Sequence, residues 1–204
     1  LFRSGKVGTL TRAVPILGSN AVVAVALSFS LVRGRRRDDA DFDRSAFWRR
    51  AVFAALAGRT LAEGTAPGVE PEEAFLASLL QDIGALALAE VFADYGALAA
   101  RAAGDHARLA ELERAAYQAD HAAVGALLAA SWSLPLRLRR SVGASHGAPA
   151  EGASAGEERL VRCVALSGHL ADVWVAPAEA ALRPALDAAR ARLGFQEAEL
   201  EAVL

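Results

Sequence analysis

The sequence has little cysteine, few aromatic residues and no uninterrupted apolar run of membrane-spanning length. Its single cysteine, Cys163, excludes a disulfide within the chain and fits a reduced, cytoplasmic compartment. The surrounding letters RLVRCVALSG favour a buried helix position for this thiol over a catalytic one. Aromatic residues make up 6% of the 204 residues, and alanine supplies much of the 54% hydrophobic content. Because alanine favours helices and lets them approach closely, this composition predicts packed helices.

Charge and hydrophobicity exclude further classes of protein. The net charge of −2 and the pI near 6.1 provide no general attraction for nucleic acid or anionic lipid. The longest apolar run, residues 21–32, has about a dozen residues, whereas a membrane span needs about 20. We therefore expect a buried core helix there and no membrane association. The chain starts at Leu1 with neither an initiator methionine nor a signal peptide, so we expect a fragment of a longer protein.

Nearly every segment shows helical periodicity, and no run alternates as a β-strand would. The pattern predicts helices over residues 44–63, 105–118, 121–133 and 159–175, with further helices opening at Pro71 and Pro135. The helix from Pro71 is expected to kink at Gly84, and residues 146–158 are expected to form a loop. The sequence therefore predicts an all-α fold.

We expect one domain with two parts. An N-terminal helical part over residues 1–42 packs on the main body. A helical core over residues 43–204 ends in C-terminal connector helices.

Four short motifs suggest other chemistry but lack its context. SGKVG at residues 4–8 lacks the Ser or Thr and the preceding strand of a phosphate-binding loop. GASAG at residues 152–156 matches a nucleophile elbow, but a glycine- and proline-rich loop precedes it. The arginines at 35–37 are neutralised by the aspartates that follow them. His169 and Asp172 share a helix face, but two ligands alone do not hold a metal.

A set of longer segments carries a family resemblance. These segments are FWRRAV (47–52), EEAFLASLLQDIGALAL (72–88), DHAAVGALLAASWSLP (120–135), SHGAP (145–149) and HLADVW (169–174). In this order they resemble the HDOD family, a degenerate relative of the HD metal-dependent phosphohydrolases. The resemblance extends over nearly the whole chain and implies a compact, multi-helix HD-like bundle.

The resemblance also shows which catalytic positions have changed. In catalytic HD proteins a helix histidine, a His-Asp doublet and a distant aspartate bind a metal that activates water. These positions correspond to Arg50, to Gln81 and Asp82, and to Asp172. Arginine is a permanent cation and cannot ligate a metal, and glutamine offers only a neutral amide oxygen. We therefore expect neither catalysis nor a bound metal or other cofactor, and an ion pair from Arg50 to Asp82 or Asp172 in the metal's place.

Two histidines match further metal positions of the HD-GYP relatives, which bind more metals and cleave cyclic di-GMP. These are His121 and His146. Gly147 stands where those enzymes carry a second histidine, and the G-Y-P segment is missing. A structural remnant is favoured over a ligand-binding role for both histidines, because functional histidines need convergent partners.

The resemblance implies a non-catalytic bacterial signal-transduction domain. Such a domain binds a small-molecule ligand or a partner and modulates a fused or associated output domain, such as a GGDEF diguanylate cyclase in cyclic di-GMP signalling. A homodimer through alanine-rich helix faces is a second route to the same end.

Two alternatives stay open at this point. The first is a residual metal-dependent phosphohydrolase with an altered site formed by Asp82, His121, His146 and Asp172. The second is a nucleic-acid-binding module that uses the basic helix with Arg137, Arg139 and Arg140, against which a basic face covering a loop is the better interpretation.

Overall fold

The computed structural model describes residues 42–65, 68–146 and 152–175. Of these residues 78% are helical and none lies in a strand, which confirms the all-α prediction. In chain order the helices are α1 (Arg44–Thr65), α2 (Pro71–Leu80), α3 (Ile83–Val91), α4 (Tyr95–Ala100), α5 (His106–Tyr117), α6 (His121–Ser131), α7 (Leu136–Gly143) and α8 (Ala155–Val175).

Some predictions concern residues outside these ranges. The apolar helix at 21–32, the N-terminal part and the connector helices beyond residue 175 lie outside the described ranges. The division of the chain at residues 42 and 43 therefore stays a prediction.

Helix α1 is the central support of the bundle. Its start is fixed by Asp43, whose Oδ1 accepts a hydrogen bond from the backbone N–H of Ala46 at 2.8 Å. Buried residues such as Phe47, Ala51 and Ala54 recur every three to four positions, so one face is apolar. This face packs against α2 and α8. As a result Arg50, which shares the face, is carried into the interior.

The break after α2 differs in detail from the predicted kink at Gly84. The helix ends at Leu80, Gln81 and Asp82 form a turn, and α3 begins at Ile83. Gly84 lies inside α3, where a Cβ would overlap the backbone carbonyl oxygen of His121. The glycine is therefore needed for the close approach of α3 to α6, while the turn before it points Asp82 into the core.

Aspartates define the starts of α5 and α6. Asp105 accepts from the backbone N–H of Arg108 at 2.9 Å, and Asp120 accepts from that of Ala123 at 2.8 Å. Between the two helices Gln118 adopts a left-handed conformation with φ of 60°, which ends α5. Both predicted helices are confirmed to within a few residues.

The last described helix begins earlier than predicted. It starts at Ala155 instead of residue 159, so the predicted loop over 146–158 was too long. Ser154 and Glu157 form a reciprocal cap: the Glu157 N–H donates to Ser154 Oγ, and the Ser154 N–H donates to Glu157 Oε2. The serine of the G-x-S-x-G match is thus a helix cap.

The segment Pro71–Val91 is apolar enough, by length and composition, to cross a membrane. However, 72% of its apolar window is buried inside the bundle, and the turn at Gln81 and Asp82 interrupts it. Core helices of soluble proteins pass the same test, so the segment is compatible with a soluble protein.

Candidate functional site

The site is built around Arg50, which reaches from α1 to two carboxylates. Its Nη1 forms a hydrogen-bonded ion pair with Asp82 Oδ2, and its Nε donates to Asp172 Oδ1 at 2.6 Å. Its Nη2 donates to the backbone carbonyl of Gly168 at 3.2 Å. The predicted ion pair is therefore present with both aspartates, and Arg50 is only 6% exposed.

The charges in this pair hold each other in the ionised state. Burial alone would lower the pKa of Arg50, but the Asp82 and Asp172 carboxylates raise it above its usual value. Burial alone would raise the pKa of Asp82, but the Arg50 guanidinium holds it well below its usual range. The pocket thus contains a fixed cation and a fixed anion in direct contact.

The metal of catalytic HD relatives does not fit this half of the pocket. The guanidinium of Arg50 contacts both carboxylates that would remain as ligands. The Gln81 amide is buried and turned back, donating from Nε2 to the backbone carbonyl of Ser78 at 3.0 Å. Its Oε1 packs close to Gly168, where a Cβ would lie 2.7 Å away. A cation would meet a positive charge here and lack imidazole ligands.

The other oxygen of Asp82 faces a cluster of histidines. Asp82 Oδ1 lies 3.1 Å from Nε2 of His146, 3.4 Å from Nε2 of His121 and 3.6 Å from Nδ1 of His106. The Nε2 atoms of His121 and His146 are 2.7 Å apart. One ligand atom from each of these four residues lies within 4.8 Å of the others, a spacing that a single metal ion can bridge.

His121 is held from behind by a buried carboxylate. Glu113 on α5 is fully buried and accepts from Nδ1 of His121 at 2.6 Å and from its backbone N–H at 2.7 Å. The Tyr95 hydroxyl donates to the same carboxylate at 2.5 Å. The Glu113 carboxylate therefore holds the ring through Nδ1, and Nε2 faces the cluster.

The ring pKa values differ across the cluster. Burial opposes protonation of His121, but hydrogen bonds to Asp82 and Glu113 raise its pKa to about 9. Burial lowers the pKa of His146 to about 4, which outweighs its hydrogen bond to Asp82. Burial, together with the Glu113 carboxylate, also raises the pKa of the Tyr95 hydroxyl far above its usual value.

The structure brings together most of the residues singled out from sequence, but in two groups. Arg50, Asp82 and Asp172 form the ion-pair half. Asp82, His121 and His146 lie in the histidine half, from which Asp172 is absent because its carboxylate contacts Arg50. The His121 ring bonds across to Glu113 of α5 and to His146.

Sequence reasoning missed His106, Glu113 and Tyr95. A signal for His106 was present: the letters DH occur twice, 15 residues apart, and each time Asp caps a helix that His begins. Glu113 and Tyr95 carried no comparable signal, since their burial depends on how α5 rotates against α6.

Two of the three arginines of α7 form contacts within the domain. Arg137 pairs with Glu73 at 3.1 Å and donates to the backbone carbonyl of Gly156 at 2.9 Å. Arg140 pairs with Glu157 at 3.0 Å. These contacts tie α7 to α2 and to the start of α8, as expected for a basic face that covers neighbouring segments.

The compact, all-α bundle, which places Asp82 of the α2–α3 turn against Arg50 of α1 and His121 of α6, is consistent with an HD-like domain. Within this class the chain belongs to the HDOD domain family, which matches residues 2–148.

Solved structures show the same fold. The MmoQ response regulator from Methylococcus capsulatus str. Bath is 30% identical, with a TM-score of 0.67, over 99% of this chain and 78% of that chain. A candidate phosphohydrolase from Shewanella amazonensis SB2B is 23% identical, with a TM-score of 0.67, over 97% and 72%. An HDOD domain protein of unknown function from Geobacter sulfurreducens is 18% identical, with a TM-score of 0.65, over 98% and 70%. The last two show likeness of fold alone, and no functionally curated protein matches the chain.

Proposed function

We propose that this chain is a non-catalytic regulatory domain that binds a ligand or a partner and modulates a fused or associated output domain. The observation that carries the proposal is the Arg50 guanidinium, which contacts Asp82 and Asp172 where the resemblance places a metal ligand. A hydrolytic HD site needs a metal to generate hydroxide at neutral pH. An arginine pairs with the same carboxylates without supplying that hydroxide.

A signalling role is supported by the relatives. The chain is a member of the HDOD family, and a protein 30% identical to it is described as a response regulator. We propose a bacterial, cytoplasmic setting and an output such as a GGDEF diguanylate cyclase in cyclic di-GMP signalling. A ligand that binds one helix arrangement more tightly than another would bias the neighbouring domain by that difference in affinity. Dimerisation of the domain is a second route to the same effect.

A hydrolysis assay tests the non-catalytic half of the proposal. The purified chain is incubated with cyclic di-GMP, and separately with bis(p-nitrophenyl) phosphate, in the presence of Mn²⁺, Fe²⁺ or Zn²⁺. We expect no turnover above that of the metal alone. Metal-dependent turnover that disappears in a folded Asp82→Asn variant would contradict the proposal, because it would place catalysis in this pocket.

An output assay tests the regulatory half. In the full-length gene product, Asp172→Asn removes one of the two charges that hold Arg50 and loosens α8 from α1. We expect this change to alter the activity of the associated output domain, while the exposed substitution Arg162→Gln on the same helix leaves it unchanged. Equal activity of the output domain in the wild type, Asp172→Asn and Arg162→Gln would argue against regulation through this domain.

A metal-dependent phosphohydrolase is the second candidate function, favoured by one observation. Asp82 and three histidines converge on a point beside Arg50. The hydrolysis assay above decides between the two candidates.

A further inference from the structure

We propose that Asp82, His106, His121 and His146 form a closed, four-ligand binding site for one tetrahedral transition-metal ion, with Zn²⁺ as the best fit. The inference goes beyond the proposed function and depends only on the geometry and chemistry of these four side chains. Three of the chain's four histidines take part.

The distances suit a zinc ion. Zinc binds imidazole nitrogen and carboxylate oxygen at about 2.0–2.2 Å, so neighbouring ligand atoms of a tetrahedron lie about 3.3 Å apart. The three distances from Asp82 Oδ1 to the ring nitrogens are 3.1, 3.4 and 3.6 Å. The Nε2 atoms of His121 and His146, now 2.7 Å apart, need to separate by about 0.6 Å to reach the same spacing.

The Nδ1 atom of His106 is a buried polar atom without a hydrogen bond in the described part of the chain, and this indicates a cation. Its Nδ1 is buried and accepts or donates no hydrogen bond within residues 42–65, 68–146 and 152–175. The nearest carboxylate oxygen, Asp82 Oδ1, is 3.6 Å away, beyond hydrogen-bonding range. A buried ring nitrogen left this way is costly, and a metal ion between it and the carboxylate would satisfy both atoms.

His121 is oriented in the way that metal-binding histidines are. Its Nδ1 bonds to Glu113, which fixes the ring and directs Nε2 towards the cluster, where a bound metal would replace the Nε2 proton. Carboxylate–histidine–metal arrangements of this kind raise the basicity of the ligand nitrogen. The Tyr95 hydroxyl and the backbone N–H of His121 fix Glu113 in turn.

The donor set selects the metal and its role. Three imidazoles and one carboxylate suit zinc and neighbouring transition metals, whereas Mg²⁺ and Ca²⁺ prefer oxygen ligands. Because the protein supplies all four ligands, no coordination position stays open for a reacting water, as in structural zinc sites. The ion would join the α2–α3 turn, the starts of α5 and α6, and the segment after α7.

Metal titration of the full chain tests the inference. After removal of metal with a chelator, the chain is titrated with Zn²⁺ by calorimetry and with Co²⁺ by visible absorption. We expect one ion per chain, the intense absorption of tetrahedral Co²⁺, and a Zn²⁺-dependent rise in Tm. Absence of saturable Zn²⁺ binding, or the weak spectrum of six-coordinate Co²⁺, would overturn the proposal.

Matched variants locate the site. His106→Ala removes a ligand, and His169→Ala removes the one histidine outside the cluster. Glu113→Gln keeps the shape of the residue behind His121 but weakens its hydrogen bond, with an expected loss of about 10- to 100-fold in Zn²⁺ affinity. We expect a larger loss for His106→Ala, together with loss of the tetrahedral Co²⁺ spectrum, and unchanged affinity for His169→Ala. Wild-type affinity in His106→Ala would contradict the site.

Folding of the variants is controlled separately. Circular dichroism and Tm of each metal-free variant are compared with the metal-free wild type, and His146→Ala at the partly exposed edge of the cluster replaces His106→Ala if the latter does not fold.

Zinc binding without phosphodiester hydrolysis would support both this inference and the proposed function. Zinc binding with hydrolysis would refute the proposed function and the closed coordination of the ion, and absence of both would refute only this inference.

Discussion

Arg50 and Asp172 are 122 positions apart in the sequence, yet Nε of the arginine donates to Oδ1 of the aspartate at 2.6 Å. The contact joins α1 to α8, and the same guanidinium reaches Asp82 at the turn between α2 and α3. One side chain therefore connects three separate segments of the bundle and forms ion pairs with two carboxylates.

Replacement of Arg50 by methionine is expected to destabilise the fold strongly. The substitution keeps much of the side-chain volume but leaves Asp82 buried without its cation, and breaking a buried pair in this way costs about 3–5 kcal/mol. Urea unfolding measures the change. The adjacent, exposed Arg49→Met is the matched control, with an expected change within about 0.5 kcal/mol. Equal unfolding midpoints for the two variants would mean that the pair contributes nothing to stability.

Gly84→Ala is expected to separate α3 from α6. The added methyl would overlap the His121 carbonyl oxygen and lie 2.6 Å from the backbone nitrogen of Gly125, and backbone atoms cannot move aside as side chains do. Overpacking typically costs about 1–3 kcal/mol, and we expect the upper end of this range here. Gly64→Ala in α1 meets no atom within 4 Å and is expected to be neutral or slightly stabilising. Thermal unfolding of both variants measures the difference, and a stable Gly84→Ala protein would refute the close approach.

The buried thiol of Cys163 is expected to make the fold sensitive to alkali. Burial raises the pKa of Cys163 to about 11 from an ordinary value of 9.0. The unfolded thiol loses its proton first, so the free energy of unfolding falls as pH rises from 9 to 11, by up to about 2–3 kcal/mol. Cys163→Ala should show a shallower fall over this interval. Some fall should persist, because the pKa of Tyr95 is also raised and acts with the same sign. An unchanged slope in the variant would exclude the thiol as a contributor.

The basic helix α7 is not expected to bind nucleic acid. Arg137 and Arg140 already pair with Glu73 and Glu157. Filter binding of short single- and double-stranded DNA and RNA at low salt should show no saturable complex. A complex whose affinity falls steeply with salt, and that weakens in Arg139→Gln, would restore the nucleic-acid alternative.

Much of the fold could be predicted because its signals are local. Asp105 stands at the start of one predicted helix and Asp120 just before the next, and each caps the helix that follows it. The kink attributed to Gly84 was placed two residues late, because a glycine in a helix was read as a hinge when its small size serves a contact with another helix. No sequence pattern identifies that partner.

The site was predictable only as far as the family resemblance reached. Arg50, Asp82 and Asp172 occupy corresponding positions of a known arrangement, and the structure places them together. His106 has no counterpart in that comparison, so its convergence with His121 depends on the packing of α5, which no local pattern reports. Glu113 looked like an ordinary helix-surface charge, yet it is fully buried.

The two oxygens of Asp82 differ in how permanent their positive partner is. The partner of Oδ2 is the Arg50 guanidinium, which is part of the polypeptide. It therefore cannot be extracted by a chelator, diluted away or lost when a cell is starved of trace elements. The Arg50 half of the pocket therefore keeps its cation throughout the life of the protein. Only the half that faces the histidines can change its charge with the metal ions that the surroundings supply.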